Sequence, residues 1–188
     1  MKKIILASGS PRRKQLLEWA EVPFEIIVQE TRETFPSGLN VEEVAIHIAR
    51  QKAMAVRSVV RDDSIILAAD TIVVLNERII GKPKDRQDAI NILSDLSGHR
   101  HRVITGVVIE FDKREVAFSD STDVYFHELS SGQIAFYVDK YKPYDKAGAY
   151  AIQEWIGVVG IKLVQGDFYN VMGLPVSRVV KELEKLSD

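Results

Sequence analysis

Three cations crowd a place where acids are expected. Arg12, Arg13 and Lys14 follow Ser8-Gly9-Ser10-Pro11, which itself follows the apolar run Ile4 to Ala7. The run reads as a buried strand. Ser10 is of N-cap type and Pro11 suits the first helical position, so a helix starts here and runs through Leu16, Leu17 and Ala20. Its first turn lies at the positive end of the helix dipole, where Asp or Glu is favoured by ~0.3–1 kcal/mol each. Cations in that turn imply an external anion. Free backbone N–H groups, the Ser8 and Ser10 hydroxyls and the guanidinium forks of Arg12 and Arg13 together suit a polyphosphate. The bland alternative pairs these cations in solvent with Glu18, Glu21 or Glu25. The strand–loop–helix setting favours the anion site. The spacing of a Walker loop is absent.

Asp70 is the sharpest single residue. It interrupts Ile65-Ile66-Leu67-Ala68-Ala69-Asp70-Thr71-Ile72-Val73-Val74 with no Gly or Pro nearby to make a turn. A carboxylate inside such a run is costly unless it is paired, metal-bound or functional. The roles open to it are metal ligand and general base toward water. Lys52 lies on an apolar helix face, where a lysine commonly packs its stem and keeps its ammonium wet. Lys82 is held between two backbone-restricting residues in Gly81-Lys82-Pro83, which aims one ammonium but is also an ordinary turn. Glu30 and Glu33 read as solvated loop acids that matter only if they face Asp70, where several carboxylates could hold a hard divalent ion. Gln153 offers both donor and acceptor, the complement of the imide edge of uracil or thymine. His47, His99, His101 and His127 show no metal-ligand spacing, although His99-x-His101 could share a strand face; surface or core roles are expected for all four. Trp19, Trp155 and the tyrosines read as packing.

The elements that must position these residues alternate between strand and helix, which indicates α/β. After the acidic loop Gln29 to Gly38, Asn40 and Glu43 form a capping box for a long helix whose apolar positions run from Val41 to Val59. Ile65 to Leu75 reads as a strand, Asn76-Glu77 as a hairpin turn and Ile79-Ile80 as the return. Asp85 caps a helix through Leu96, stopped at Ser97-Gly98. A strand from Val103 to Phe111 and a partly alternating stretch through Val116, Phe118, Val124 and Phe126 come next. Ser130 and Gln133 form a second capping box for a helix to about Lys140. Val158 to Val164 reads as a strand, and Gly173-Leu174-Pro175 introduces a last amphipathic helix through Leu186. With 188 residues, 46% hydrophobic, one domain is expected, with two lobes and a site in the cleft between them. A net charge of −2 gives no bulk attraction to nucleic acid or membrane. The chain has no cysteine, which removes disulfides, thiolate metal sites and thiol nucleophiles. No apolar stretch is long enough to span a bilayer or to serve as a signal peptide, so a cytoplasmic protein is expected.

As a set, these motifs resemble the Maf family. Ser8-Gly9-Ser10-Pro11-Arg12-Arg13, Lys52-Ala53, Ala69-Asp70-Thr71, Gly81-Lys82-Pro83, Thr105-Gly106-Val107, Asp145-Lys146-Ala147-Gly148-Ala149-Tyr150, Ile152-Gln153 and Asn170-Val171-Met172-Gly173-Leu174-Pro175 match in order along nearly the whole chain. The resemblance implies an α/β fold with a mixed sheet and flanking helices, two lobes around a deep cleft, similar to the inosine triphosphatase class. It implies hydrolysis of a nucleoside triphosphate between the α and β phosphates, with Mg²⁺ or Mn²⁺ as the divalent metal. It makes Asp70 the proton acceptor and places Ser8, Arg12, Glu33, Lys52 and Lys82 around the phosphates and metal; the mechanism expected from these positions has Asp70 and Glu33 as the metal ligands. Arg13, Thr71 and Gln153 match the trio that marks the subgroup acting on dTTP and UTP, as distinct from the 7-methyl-GTP subgroup. The stretch Tyr141-Lys142-Pro143-Tyr144 departs from the usual acidic version of that loop.

Two rivals stand beside this reading. The family has been linked to septum formation and cell division, which would make the chain a nucleotide-binding regulator without turnover; a carboxylate inside a strand argues against it, since anion binding alone has no use for a negative charge. A phosphomonoesterase would release orthophosphate instead of pyrophosphate. A homodimer is compatible with the sequence but not specified by it.

Overall fold

The computed structural model describes residues 2–60 and 63–186. Seven strands are β1 (Ile4–Leu6), β2 (Glu25–Ile26), β3 (Ile65–Leu75), β4 (Arg78–Ile80), β5 (Arg100–Phe111), β6 (Arg114–Phe126) and β7 (Ile161–Gln165). The helices are α1 (Pro11–Trp19), α2 (Val41–Arg57), α3 (Arg86–Leu96), α4 (Ser131–Tyr141), α5 (Trp155–Gly160), α6 (Phe168–Met172) and α7 (Val176–Glu184), with a 3₁₀ turn at Ala147–Ala149. The strands form one mixed sheet in the order β2-β1-β3-β5-β6-β7, with β4 paired to β3. This is the α/β class expected. No helix among the described residues is long and apolar enough to cross a membrane.

The chain divides into two compact units. The first comprises Met1–Thr71, Thr105–Asp120 and Gly173–Asp188; the second comprises Ile72–Ile104 and Ser121–Met172.

In the first unit β1 runs parallel to both neighbours, with Ile4 opposite Ile65 and Leu6 opposite Leu67. Helix α2 begins at the Asn40–Glu43 capping box, both bonds of which form. Its small residues Ala45, Ala49 and Ala53 recur every fourth position and are fully buried. Ala49 and Ala53 pack in one cluster with Ile5, Ile66, Ala68 and Val108. The closest approach is at Gly106, where a Cβ would stand 2.3 Å from the Ala45 carbonyl carbon. Only glycine fits there. This seating fixes how far the Lys52 stem can reach. Arg178, on α7, reaches back to the Ser119 carbonyl at 3.3 Å and to the Asp120 carboxylate.

In the second unit β3 turns at Asn76-Glu77, whose φ values of 49° and 61° suit the mirror-image hairpin turns that match strand twist. The return strand β4 pairs Val73 with Ile80. The Asp85 and Ser130 caps both form, to Asp88 and Gln133. His101 is buried, with Nε2 2.7 Å from the Tyr150 hydroxyl and its ring edge-on to Phe126. Burial lowers its pKa to about 4, against a smaller opposing effect of Asp123, and raises that of Tyr150. His99 precedes β5 and is exposed, so the two histidines do not share a strand face.

One expected strand is displaced. Val158 to Val164 was expected to be extended throughout, yet Trp155–Gly160 is helical and β7 begins only at Ile161. A short apolar run does not separate strand from buried helix by pattern alone. Gly157 is what permits the turn: a Cβ there would stand 1.7 Å from the Ile152 carbonyl oxygen. The last helix also ends earlier than expected, at Glu184, leaving Leu186 beyond it.

Candidate active site

Parallel pairing of β1 with β3 sets the site. Ala7 N–H donates to the Leu67 carbonyl at 2.8 Å, so the loop that leaves β1 at Ser8 lies beside the part of β3 that carries Asp70 and Thr71. Sites of open α/β sheets form at such carboxyl ends of parallel strands. Side chains alternate along a strand, so Asp70 and Thr71 leave β3 on opposite faces. Each enters its own cluster.

Asp70 meets Lys52. The ammonium lies 2.6 Å from Asp70 Oδ1 and 3.0 Å from Glu33 Oε1. The lysine and aspartate side chains are only 17% and 13% exposed, whereas Glu33 is 46% exposed. The buried carboxylate is thus paired, as a charge inside β3 must be. Lys52 does not snorkel: its stem follows the α2 face inward and its ammonium joins two acids. Glu30 is exposed in the loop.

Thr71 meets Arg13. The guanidinium is buried and donates through Nε to the Gly173 carbonyl at 2.7 Å, through Nη1 to Ser8 Oγ at 3.0 Å and through Nη2 to Thr71 Oγ1 at 2.9 Å. Thr71 Oγ1 also lies 2.9 Å from the hydroxyl of the fully buried Thr105. Burial lowers the Arg13 pKa most; the neighbouring Arg12 charge adds to this, while Asp70 and Glu33 oppose it. The side chain still carries its charge, since a guanidinium does not deprotonate in a protein. Arg13 thus turns inward, where three acceptors take three of the five N–H groups of its guanidinium. Arg12, the next residue out, is half-buried.

The cap of α1 also differs from expectation. Ser10 occupies the N-cap position, but its side chain makes no capping bond. Instead the Ser10 N–H donates to Ser8 Oγ at 3.3 Å, a local turn in which the earlier serine is the acceptor. Lys14 reaches Glu18 at 3.6 Å, the solvent pairing considered for these cations.

Lys82 and Gln153 belong to the second unit and are both exposed. The Gly81 carbonyl accepts from Gly148 N–H at 3.2 Å, which ties the Lys82 turn to the 3₁₀ turn. Gly148 has φ of 71° and would place a Cβ 2.9 Å from Val73 Cγ2. Gln153 sits in a turn anchored by residues for which the sequence reading had no role. The Tyr137 hydroxyl donates to the Glu154 carboxylate and accepts from Ala151 N–H at 3.1 Å, and Lys146 lies 3.7 Å from Glu154. The other omissions are Thr105 and the Gly173 carbonyl. Thr105 did leave a signal, a hydroxyl inside the apolar Val103 to Ile109 run; a backbone carbonyl leaves none.

Among the described residues no three His, Asp or Glu side chains cluster as a metal site. Asp70 and Glu33 nevertheless converge on one cation, the Lys52 ammonium, within 3.0 Å. Two carboxylates aimed at one point suit Mg²⁺ or Mn²⁺, which are commonly held by one or two carboxylates with water and phosphate oxygens completing the shell.

A model of the Maf-like protein family matches residues 3–186. The dTTP/UTP pyrophosphatase of Cytophaga hutchinsonii is 51% identical over 183 residues, 97% of this chain and 84% of that protein. The protein of the same name from Parabacteroides distasonis is 45% identical over 183 residues, 97% of this chain and 95% of its own length. Among solved structures, the Staphylococcus aureus Ham1 protein is 13% identical and aligns over 68% of this chain and 73% of its own with a TM-score of 0.47. The family match and the near-full-length identity of these relatives agree with the motifs running from Ser8 to Pro175: the chain belongs to the Maf-like protein family.

Proposed function

We propose that this chain is a nucleoside triphosphate pyrophosphatase that cleaves dTTP and UTP between the α and β phosphates, releasing the monophosphate and pyrophosphate. Family membership and the names of its relatives support the reaction class and the bases. The observation that carries it is the buried Asp70 carboxylate held 2.6 Å from the Lys52 ammonium, with Glu33 on the other side of that cation.

In this reading Asp70 accepts the proton of the attacking water, which makes it the general base. Lys52, Lys82, Arg12 and the N-terminus of α1 neutralise phosphate charge, so that much of the catalysis is positioning and electrostatics. Asp70 and Glu33 would hold Mg²⁺ or Mn²⁺, which when bound stabilises charge on the phosphate oxygens. Arg13 adds its charge to this end of the site from its inward position. Its bonds to Ser8, Thr71 and Gly173 hold the β1 loop and the Asp70–Thr71 segment in register. Gln153 reads the imide edge of the base with one donor and one acceptor.

The test is a panel of canonical and modified triphosphates with Mg²⁺ or Mn²⁺, scoring pyrophosphate against orthophosphate. Pyrophosphate from dTTP and UTP above other nucleotides is the expected result. Tight binding without release would point to a regulator, and orthophosphate alone to a phosphomonoesterase.

A further inference from the structure

Lys52 occupies the one point that both acids share. A Mg²⁺ or Mn²⁺ held by Asp70 and Glu33 would compete with the ammonium that both acids now hold, cation against cation. The lysine has little room to retreat by moving its backbone. Helix α2 is seated on the sheet through Ala45, Ala49 and Ala53, and Gly106 brings backbone against backbone. Only the side chain can swing away, and it needs another anion to swing toward. A triphosphate supplies that anion and also the oxygen ligands that two carboxylates leave missing from an octahedral shell.

We propose that Lys52 is a resident counter-cation that keeps a divalent ion off Asp70 and Glu33 until nucleotide phosphates draw its ammonium away, so that metal and nucleotide load together. This rests on the reading that Asp70 and Glu33 are the metal ligands. The role is distinct from phosphate neutralisation during the reaction, because it acts before any chemistry and is visible without turnover.

The test measures binding of Mn²⁺ to the full chain by electron paramagnetic resonance of the free ion, with and without a non-hydrolysable α,β-methylene analogue of dTTP, each titration corrected by a protein-free control holding the same analogue. Wild type should take Mn²⁺ weakly alone and about tenfold or more tightly with the analogue. Lys52→Met should take Mn²⁺ about tenfold or more tightly than wild type with no nucleotide present. Lys52→Gln provides the same comparison if the methionine variant does not fold. Two results overturn the proposal while leaving the metal ligands intact: wild type binding Mn²⁺ equally well with and without the analogue, or both Lys52 variants binding it no tighter than wild type. No Mn²⁺ on any of the proteins even with the analogue overturns the metal-ligand reading and this inference with it.

Discussion

Replacing Asp70 by asparagine keeps the shape of the side chain and deletes its charge. Lys52 would face a neutral amide oxygen in place of the carboxylate at 2.6 Å and keep Glu33 at 3.0 Å. Removing one member of a buried ion pair costs about 3–5 kcal/mol when the other charge is stranded. Here the ammonium is not stranded, so Asp70→Asn should cost about 1–2 kcal/mol, the difference between a hydrogen bond to a charged group and one to a neutral group. The double variant Asp70→Asn/Glu33→Gln leaves the ammonium neither acid and should approach about 3–5 kcal/mol. Turnover follows a different scale. A general base contributes about 10²–10⁴-fold, so kcat on dTTP should fall by that factor in the single variant. KM should rise by much less than kcat falls, because the general-base contribution belongs to the transition state while Glu33 and the phosphates still help to hold the metal and nucleotide. Urea unfolding of the two variants and steady-state pyrophosphate release by the single variant measure both quantities. More than about a tenth of wild-type kcat remaining in Asp70→Asn would refute the proton-acceptor role. A single variant as unstable as the double would refute the sharing of Lys52 between two acids.

Arg13→Lys can keep one of three hydrogen bonds, so it should lose about 2–4 kcal/mol in urea unfolding; a loss under about 1 kcal/mol would refute the inward role. His101 is held neutral by burial, with a pKa of about 4 in the fold against 6.5 unfolded. The unfolded chain therefore binds the extra proton as pH falls from about 6.5 toward 4, and about 3 kcal/mol of stability should be lost over that window. Melting curves across it should steepen for wild type and flatten for His101→Gln. Gly106→Ala would put a Cβ 2.3 Å from α2 backbone and should destabilise by about 1–3 kcal/mol or more, read as a lowered melting temperature. Gln153→Glu leaves one group of the imide edge mispaired and should cut kcat/KM for dTTP about tenfold or more relative to other bases; unchanged relative rates would discard base reading by this residue.

Local rules carried the fold a long way. The two capping boxes, the Asn76-Glu77 turn and the long β-branched run after Ser64 are encoded within a few residues each, and all form. The short helix before β7 was illegible because an apolar hexapeptide satisfies either geometry, and the close approach of Gly157 to the Ile152 carbonyl that accompanies it is a feature of the folded backbone. At the site the charge conflicts were legible: Asp70 in a strand and cations at a helix start both signalled something unusual. Their resolution was not. Whether Arg13 points out to an anion or in to Gly173, 160 residues away, depends on tertiary packing that no local pattern contains.

That long reach has a consequence for how the molecule is made. The first unit draws on three separated stretches of chain, and one arginine near its start closes onto a carbonyl at the head of the last stretch. A nascent polypeptide paused before Gly173 emerges would hold Arg13 with its Ser8 and Thr71 acceptors in hand but this carbonyl missing. The unit that starts first during translation is therefore the one that finishes last, and contacts of such sequence separation are the slow ones to form.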